Sequence, residues 1–359
     1  MRIVRYINPS WHHYAVQYPN FNIVRDWKSY ENASGDKKFS YISEFNPTSE
    51  RIPILVEEIK KHLTVADHVY VNMGEPGLSY KDIKKSKEGP YLGTVDFIND
   101  HFVSTDAVTF FGNAVLQKPT SRPWHYFNDM FFADINLYNK DKLCLSLLQQ
   151  LDQPLSNRTY HWEIMCSRHT DIYKKLKQHP VDQNTLSTCH SLGIQFYGSS
   201  VVQPKNNNPA EGAGLENTHI RCSDLIDPEI YNSSHYSAVI ETIAPADNSF
   251  SMFSEKEAKP IVAGRPFIII GSQYHMRAFR SLGFKSFSPI IDESYDLEPD
   301  RNKRLKMIFD EMHRLSQSNP VEVYRKLKPV LEHNKKWFEN KNNWNKEFLD
   351  AWHQDQSII

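Results

Sequence analysis

The chain has 359 residues, of which 42 are Lys or Arg and 43 are Asp or Glu, and hydrophobic residues make up 40% of it. This composition is typical of a folded protein and excludes a disordered chain, and the net charge of −1 excludes a global field that would hold nucleic acid or an anionic membrane. The length exceeds what one core usually organises and therefore predicts two domains.

Short apolar runs alternate with helical patterns along the chain. The runs predict buried strands at 1–7, 67–73, 107–113, 160–166, 237–243 and 265–271. Residues 51–63 place their apolar side chains on one helical face, and residues 275–283 end with Gly283, which suits a helix C-cap. Alternating strands and helices of this kind predict an α/β protein whose parallel sheets are covered by helices on both faces.

Two stretches of the chain predict loops. Residues 203–218 are rich in Asn, Gly and Pro and predict a long surface loop, of the kind that often serves as a lid. Residues 151–159 precede a new strand and helix and predict the domain boundary. We therefore predict an N-terminal α/β domain at 1–155, a C-terminal α/β domain at 156–325 and helices at 326–359. The last helix is rich in aromatic residues and is predicted to pack back across the domains.

The spacing of the cysteines and the hydropathy of the chain favour one cellular compartment. The four cysteines are far apart, and no CxxC pair occurs among them (Cys144, Cys166, Cys189, Cys222). Such spacing favours neither a zinc knuckle nor a disulfide framework. The N-terminal apolar stretch is too short for a signal peptide, and no window reaches the roughly 18 apolar residues of a membrane span. The sequence therefore predicts a cytoplasmic protein.

The segment between the last two predicted strands carries charged residues at a predicted helix start. Ser254 precedes the helical pattern and Glu257 follows three residues later, which is the spacing of a capping box. A helix that begins there directs backbone N–H groups towards the carboxyl end of the preceding strand, where Glu241 lies. Lys256 adds a positive charge suited to a diphosphate, and Glu255 can accept hydrogen bonds from ribose hydroxyls. The segment predicts a nucleotide site; the alternative is a well-capped helix with solvated charges.

The order of these elements resembles the donor-binding segment of fucosyltransferase-like glycosyltransferases. In that family an aromatic-x-Glu-Lys element leads a helix and an apolar strand follows, as in "FSEKEAKPIVAGRPFIIIG" here. The continuation "LGFKSFSPIIDESYD" resembles uncharacterised phage-encoded proteins related to that group. The resemblance covers mainly residues 158–183 and 230–305. It implies the GT-B architecture, in which two Rossmann-like domains face each other across a cleft.

The resemblance also implies roles for two residues outside that segment. The family's Arg-rich stretch opens the donor domain and contacts the diphosphate, and the corresponding place here holds Arg168, a single arginine where two are often found. The turn in "VYVNMGEPGLSY" is similar to the family turn that presents the catalytic base, which would be Glu75. Glu75 lies between Gly74 and Pro76, so its turn is rigid. The alternatives are a surface arginine and an ordinary turn carboxylate.

The implied reaction is an inverting, metal-independent transfer of a sugar from a nucleotide-sugar, a UDP- or GDP-sugar, with no resident cofactor. The acceptor would be a glycan or a hydroxymethylated base in phage DNA, inside a bacterial or phage-infected cell. Basic runs at 174–177 and 301–304 are scattered, which is more typical of solvated surface than of a DNA-binding stripe. A non-catalytic nucleotide-binding protein and a structural phage protein of the same fold remain the alternatives.

Other residues are weaker candidates for a site. Asp292, Glu293 and Asp296 could hold a divalent cation, although acidic turns are usually only solvated. The adjacent His12 and His13 point apart in a strand and so do not form a metal pair, but they are predicted to lie near the acceptor. The chain has no HExxH, GxxxxGK[ST] or GxSxG pattern, which argues against a zinc protease, a P-loop phosphotransferase and a serine hydrolase of those classes.

Overall fold

The chain forms two compact units, and each contains its own parallel sheet. The computed structural model describes residues 3–7, 23–24, 26–35, 37–43, 51–73, 98, 101–102, 106–117, 120–122, 124–126, 157–166, 170–189, 228–241, 248, 250–344 and 346. The first unit is Met1–Asp129 with Pro245–Phe250 and Asn345–Ile359. The second unit is Met130–Ala244 with Ser251–Trp344.

The first unit is built on a six-stranded sheet. Its elements are β1 (Ile3–Ile7), β2 (Ile23–Val24), α1 (Trp27–Asn32), β3 (Lys37–Ser43), α2 (Arg51–Leu63), β4 (His68–Asn72), β5 (Val108–Gly112), β6 (Ala114–Leu116) and β7 (Trp124–Tyr126). The sheet order is β2-β1-β3-β4-β5-β7, and all its pairs are parallel. The predicted strands at 1–7, 67–73 and 107–113 are confirmed as β1, β4 and β5.

The amphipathic pattern of 51–63 gives the helix that was predicted from it. Leu55 and Ile59 of α2 are fully buried, and they belong to one core cluster with Val69 and Val71 of β4. Because the apolar positions of α2 recur at helical spacing, the helix places a single face on the sheet. Burying side chains of this size stabilises the fold by about 1.5 to 3 kcal/mol each.

The second unit is built on a four-stranded sheet. From residue 160 onwards the elements are β8 (Tyr160–Cys166), α3 (Thr170–Leu176), β9 (Thr185–Cys189), α4 (Pro228–Ser233), β10 (Ser234–Ile240), β11 (Phe250–Met252), α5 (Glu255–Val262), β12 (Phe267–Ile270), α6 (His275–Ser281), α7 (Arg301–Ser316), α8 (Pro320–Glu339) and α9 (Lys341–Trp344), with 3₁₀ turns at Pro180–Asn184 and Ser294–Leu297. The sheet order is β12-β10-β8-β9, again with parallel pairs only. The predicted strands at 160–166, 237–243 and 265–271 are confirmed as β8, β10 and β12.

Helices cover both faces of the second sheet. Trp162 of β8 donates a hydrogen bond from Nε1 to the Met312 carbonyl of α7 at 2.9 Å. The next residue, Glu163, lies close enough to Lys259 of α5 for that charge to act on its pKa. Because successive side chains of a strand point to opposite faces, α7 and α5 lie on opposite faces of the sheet.

The helix α8 is joined to the second unit by polar side chains as well as by its apolar face. It contacts α5, and Trp337 donates from Nε1 to the Leu282 carbonyl at 2.9 Å. The buried Asn334 accepts from the Lys285 amide and donates to the Lys285 carbonyl, both at 2.8 Å. No helix in the described part of the chain is both long and apolar enough to cross a membrane.

The α/β class with parallel sheets in two domains is confirmed. The predicted boundary between residues 155 and 156 and the predicted loop at 203–218 lie outside the described residues and stay predictions. The predicted limit at residue 325 falls inside α8, which continues without a break to Glu339. The predicted packing of the terminal helix across the domains concerns Trp352 and its neighbours, which also lie outside the described residues.

Candidate active site

The strand order of the second sheet shows where a ligand is expected. From β8 the chain continues to β9 on one side, and β10 and β12 follow on the other side, so the direction of winding reverses between β8 and β10. Ligands of open α/β sheets bind outside the carboxyl ends of the strands at such a switch point. β8 ends at Cys166 and β10 at Ile240. The switch point is therefore followed in sequence by Arg168, outside the described residues, and by Glu241.

The helix start predicted at Ser254 is confirmed with both bonds of the capping box. Ser254 Oγ accepts a hydrogen bond from the Lys256 amide at 3.3 Å, and Glu257 Oε2 accepts one from the Ser254 amide at 3.0 Å. These bonds satisfy amides that would otherwise be open at the beginning of α5. The Lys256 amide is thus occupied within the protein, in contrast to the free N–H groups that the sequence suggested.

The end of β10 and the start of α5 are joined by buried polar side chains. Ser254 Oγ donates to Glu241 Oε1 at 2.8 Å and lies 3.4 Å from Glu257 Oε2. Glu241, Ser254 and Glu257 are 1%, 2% and 0% exposed, respectively. A hydroxyl has one proton, so the shorter contact receives it and Glu241 Oε1 acts as an acceptor. Two carboxyl groups distant in sequence therefore meet across one serine.

Lys256 lies beside this carboxyl pair. Its Nζ donates to Ser254 Oγ at 3.3 Å. Burial raises the pKa of Glu241 well above its usual range, and the neighbouring Glu257 raises it further, while the Lys256 charge opposes both effects. Burial also raises the pKa of Glu257 to about 7. Since two buried carboxylates repel each other, the pair retains a proton near neutral pH.

His275, the first residue of α6, extends the cluster. Its Nε2 lies 3.5 Å from Glu257 Oε1, and its ring packs edge-on against Phe253 with centroids 4.7 Å apart. Burial lowers the pKa of His275. A Cβ on Gly271 would lie 2.6 Å from His275 Nδ1, so only glycine at the end of β12 permits this close approach. The glycine that ends the predicted strand thus has a packing role.

A small pocket opens at the carboxyl ends of β10 and β12. It is lined by Ile172, Glu241, Ile270, Gly271, Arg301, Arg304, Leu305 and Ile308. Arg304 donates from Nε to the Gly271 carbonyl at 3.2 Å, and Arg301 pairs with Asp171 at 3.0 Å. The pocket therefore combines an apolar wall with two guanidinium groups and one carboxyl group.

The acidic turn at 292–296 is bound within the protein. Asp296 accepts hydrogen bonds from the Met276 and Arg277 amides at 2.8 and 3.0 Å, which caps α6. Glu293 accepts from Arg280 at 2.9 Å and from the Phe287 amide at 2.8 Å. Within the described part of the chain, no group of three or more His, Cys, Asp or Glu side chains is arranged to hold a metal ion.

The structure brings Glu241, Ser254 and Lys256 into contact, and their roles in a nucleotide site stay predictions. Glu255 begins α5, but its side chain is outside the described part. Glu75, Arg168, His12 and His13 also lie outside the described residues, and their roles stay predictions. The sequence pattern predicted only a capping role for Glu257, and it indicated no site role for His275, Arg301 or Arg304. Two sequence features could have indicated these residues. His275 follows Gly271 closely after the last predicted strand, and Arg301 and Arg304 belong to the basic run at 301–304.

Comparisons with known proteins include a distant likeness to a solved structure. No protein-family model and no curated protein matches the chain. Among solved structures, the chain is similar to the crystal structure of WaaG, a glycosyltransferase involved in lipopolysaccharide biosynthesis. The TM-score is 0.37 and the sequence identity 10%, over 97% of this chain and 99% of that chain. At this TM-score the two chains are not shown to share a fold.

Proposed function

We propose that the chain is a glycosyltransferase that transfers a sugar from a nucleoside-diphosphate donor to an acceptor hydroxyl. One observation carries the proposal: Glu241 and Lys256 lie together at the switch point of a parallel sheet, where nucleotides bind in α/β proteins. The resemblance of residues 230–305 to the donor segment of fucosyltransferase-like enzymes adds the reaction class.

In this proposal the second unit holds the donor. Lys256 contacts the diphosphate, and its ammonium is positioned by the bond to Ser254 Oγ. Arg168 adds a second positive charge after β8, and Glu255 accepts hydrogen bonds from the ribose. Because burial favours the protonated form of the Glu241 and Glu257 pair, Lys256 is not fully neutralised beside an anionic ligand.

The proposed chemistry is a single displacement at the sugar carbon. Glu75 takes the proton of the acceptor hydroxyl, the acceptor oxygen bonds to the anomeric carbon, and the bond from that carbon to the donor phosphate oxygen breaks. The nucleoside diphosphate leaves with the bonding electrons, and attack from the opposite face inverts the configuration. Lys256 and Arg168 stabilise the charge that develops on the leaving group. The acceptor is a glycan or a hydroxymethylated base in phage DNA.

Nucleotide binding is the first test. The purified chain is titrated calorimetrically with UDP, GDP, ADP and CDP, and one of them is expected to bind. Lys256→Ala should weaken that affinity by about 1.5 to 3 kcal/mol, the range for a hydrogen bond to a charged group. Lys306→Ala is the matched control, because Lys306 is an exposed lysine of α7 paired with Asp310. Equal affinities of wild type and Lys256→Ala would overturn the assignment of Lys256.

Sugar transfer is measured next, with sugar nucleotides of the base that binds. Glu75→Gln should lower turnover by roughly a hundredfold or more and leave donor affinity intact. Donor binding without transfer to glycan or hydroxymethylated DNA acceptors would instead indicate a non-catalytic nucleotide-binding protein. The absence of affinity for all four nucleotides would favour a structural protein.

A further inference from the structure

We propose that Cys166 and Cys189 form a reversible disulfide between the carboxyl ends of β8 and β9. Cys166 is the last residue of β8, and Cys189 is the last residue of β9. The spacing of the cysteines along the chain does not indicate this pair, because the pair depends on the register of two strands. The inference goes beyond the proposed function and does not depend on it, since it concerns only the chemistry of these two thiols.

The register of β8 and β9 makes the two cysteines partners. Five consecutive residues of each strand pair in parallel, from Trp162 with Thr185 to Cys166 with Cys189. Trp162 is fully buried, and Thr185 is 7% exposed and donates from Oγ1 to the Val181 carbonyl at 2.7 Å. Because a slip by one residue would turn these buried side chains to the other face of the sheet, the register is strongly specified.

The spacing of register partners suits a disulfide. Neighbouring strands lie about 4.7 to 4.9 Å apart, and the Cα atoms of disulfide-bonded residues usually lie roughly 4.4 to 6.8 Å apart. Successive residues of a strand alternate between the two faces of a sheet, so register partners in parallel strands share one face. Cys166 and Cys189 therefore meet the Cα distance that a disulfide requires without a rotation of either strand.

The same geometry predicts a bond that is easily reduced. The Cβ atoms of parallel register partners are separated by about the strand spacing, whereas those of a relaxed disulfide are about 3.8 Å apart. The two strand ends must therefore approach each other by roughly 1 Å, and the strain that remains favours reduction. Strained disulfides are the labile and regulatory ones, whereas relaxed structural disulfides resist the small thiols of a cell.

The proposed oxidant is a low-molecular-weight disulfide. The thiolate of one cysteine attacks a sulfur of this disulfide, the S–S bond breaks, and one small thiolate leaves with the bonding electrons. The thiolate of the second cysteine then attacks the protein sulfur of the mixed disulfide and releases the second small thiolate. The two protein thiols thus lose two electrons and two protons, and the small disulfide is reduced to two thiols.

The bond would lie at the ligand edge of the second sheet. Cys166 ends β8, which borders the switch point between β8 and β10. Ligands of open α/β sheets bind outside the carboxyl ends of the strands at such a point. The pair therefore places a redox-sensitive modification site beside this edge.

A disulfide map is the first test. The reduced chain is incubated with oxidised glutathione, free thiols are alkylated, and the chain is digested with trypsin. Each of the four cysteines falls in its own tryptic peptide, so the bond should appear as residues 159–168 linked to residues 178–205. The intact mass of the single chain should fall by two hydrogens. A link between any other two cysteines, or between two chains, would overturn the inference.

The dependence on reduced glutathione tests reversibility in the wild-type chain alone. Formation of the bond releases two molecules of reduced glutathione, so at constant oxidised glutathione the ratio of linked to free pair should fall by about a hundredfold when reduced glutathione rises tenfold. A single mixed disulfide would give only about tenfold. Such a tenfold dependence would overturn the inference, and so would a bond that excess reduced glutathione does not break.

Cys166→Ser separates the specific pair from general thiol reactivity. In this variant Cys189 should retain one glutathione as a mixed disulfide, because no second thiol is present to displace it. Cys222→Ser is the matched control, since it removes a cysteine and leaves both partners in place, and it should form the same link as wild type. Glutathione retained on both Cys166 and Cys189 of the wild-type chain would show that the two thiols do not meet and would overturn the inference.

Discussion

At the residue scale, Glu163 shows that a buried carboxyl group need not belong to the site. It lies in the middle of β8, opposite Ser237 of β10, and is 2% exposed. Burial raises its pKa to about 7, although the charges of Arg265 and Lys259 oppose this effect. The apolar pattern "YHWEIMC" predicted that this glutamate lies in a strand. Its burial could not be predicted from that pattern, because it depends on the packing of α5 against the same face of the sheet.

The raised pKa of Glu163 predicts a pH-dependent stability. The folded state holds a proton that the unfolded chain releases near pH 4.5, the usual pKa of a glutamate, so this contribution is complete below pH 4.5 and is lost as pH rises through about 7. Glu163→Gln lacks this loss. The unfolding free energy of the variant should therefore rise relative to wild type by about 3 kcal/mol between the two ends of this range.

Urea unfolding at the two ends of this pH range measures the difference. Glu322→Gln is the control, because Glu322 is exposed and the hydrogen bond from Arg325 lowers its pKa. The unfolding free energy of Glu322→Gln should not rise relative to wild type between the low and the high pH. A difference between Glu163→Gln and wild type that does not change with pH would show that Glu163 is not protonated in the folded state.

At the element scale, α6 depends on a cap from a distant part of the chain. Its N-cap residue, Tyr274, has the left-handed conformation with φ 63° and supplies no side-chain cap. Asp296 supplies it instead, through bonds to the Met276 and Arg277 amides. Since α6 begins with His275, this cap also holds the imidazole next to Glu257.

Removal of this cap should destabilise the fold more than removal of an ordinary one. Asp296→Ala loses two hydrogen bonds to a carboxylate that is 3% exposed and should lower the unfolding free energy by about 3 kcal/mol. Asp300→Ala loses the exposed N-cap bond of α7 to the Lys303 amide and should lower it by about 1 kcal/mol. Chemical denaturation compares the two, and equal losses would contradict a special role for Asp296.

At the scale of the whole molecule, the proposal places the donor on one of the two units. Amide hydrogen exchange with and without the nucleoside diphosphate tests this placement. Exchange should slow in peptides that contain Glu241 and Lys256, and it should not change in β3 and β4 of the first unit. Lys256→Ala at the same ligand concentration is the control and should show less protection. Protection confined to the first unit would contradict the donor placement.

Several features could be predicted from local patterns alone. The periodicity of residues 51–63 predicted α2, and the apolar run at 265–271 predicted β12, because helical and strand periods are properties of neighbouring residues. The spacing of Ser254 and Glu257 predicted the capping box for the same reason, since its two bonds span only two and three residues. The alternation of such elements predicted parallel sheets in two domains.

The chemistry of the site depends on contacts that no local pattern contains. Glu241 meets Ser254, Asp296 caps α6, and Arg304 reaches Gly271 over a separation of 33 residues. Each contact joins a strand end or a helix start to a segment that only the packed fold brings beside it. Burial is likewise a property of the packed fold, and it is burial that raises the pKa of Glu241. Residue types and spacing set the elements, whereas sheet order and packing set the neighbours and protonation of each side chain.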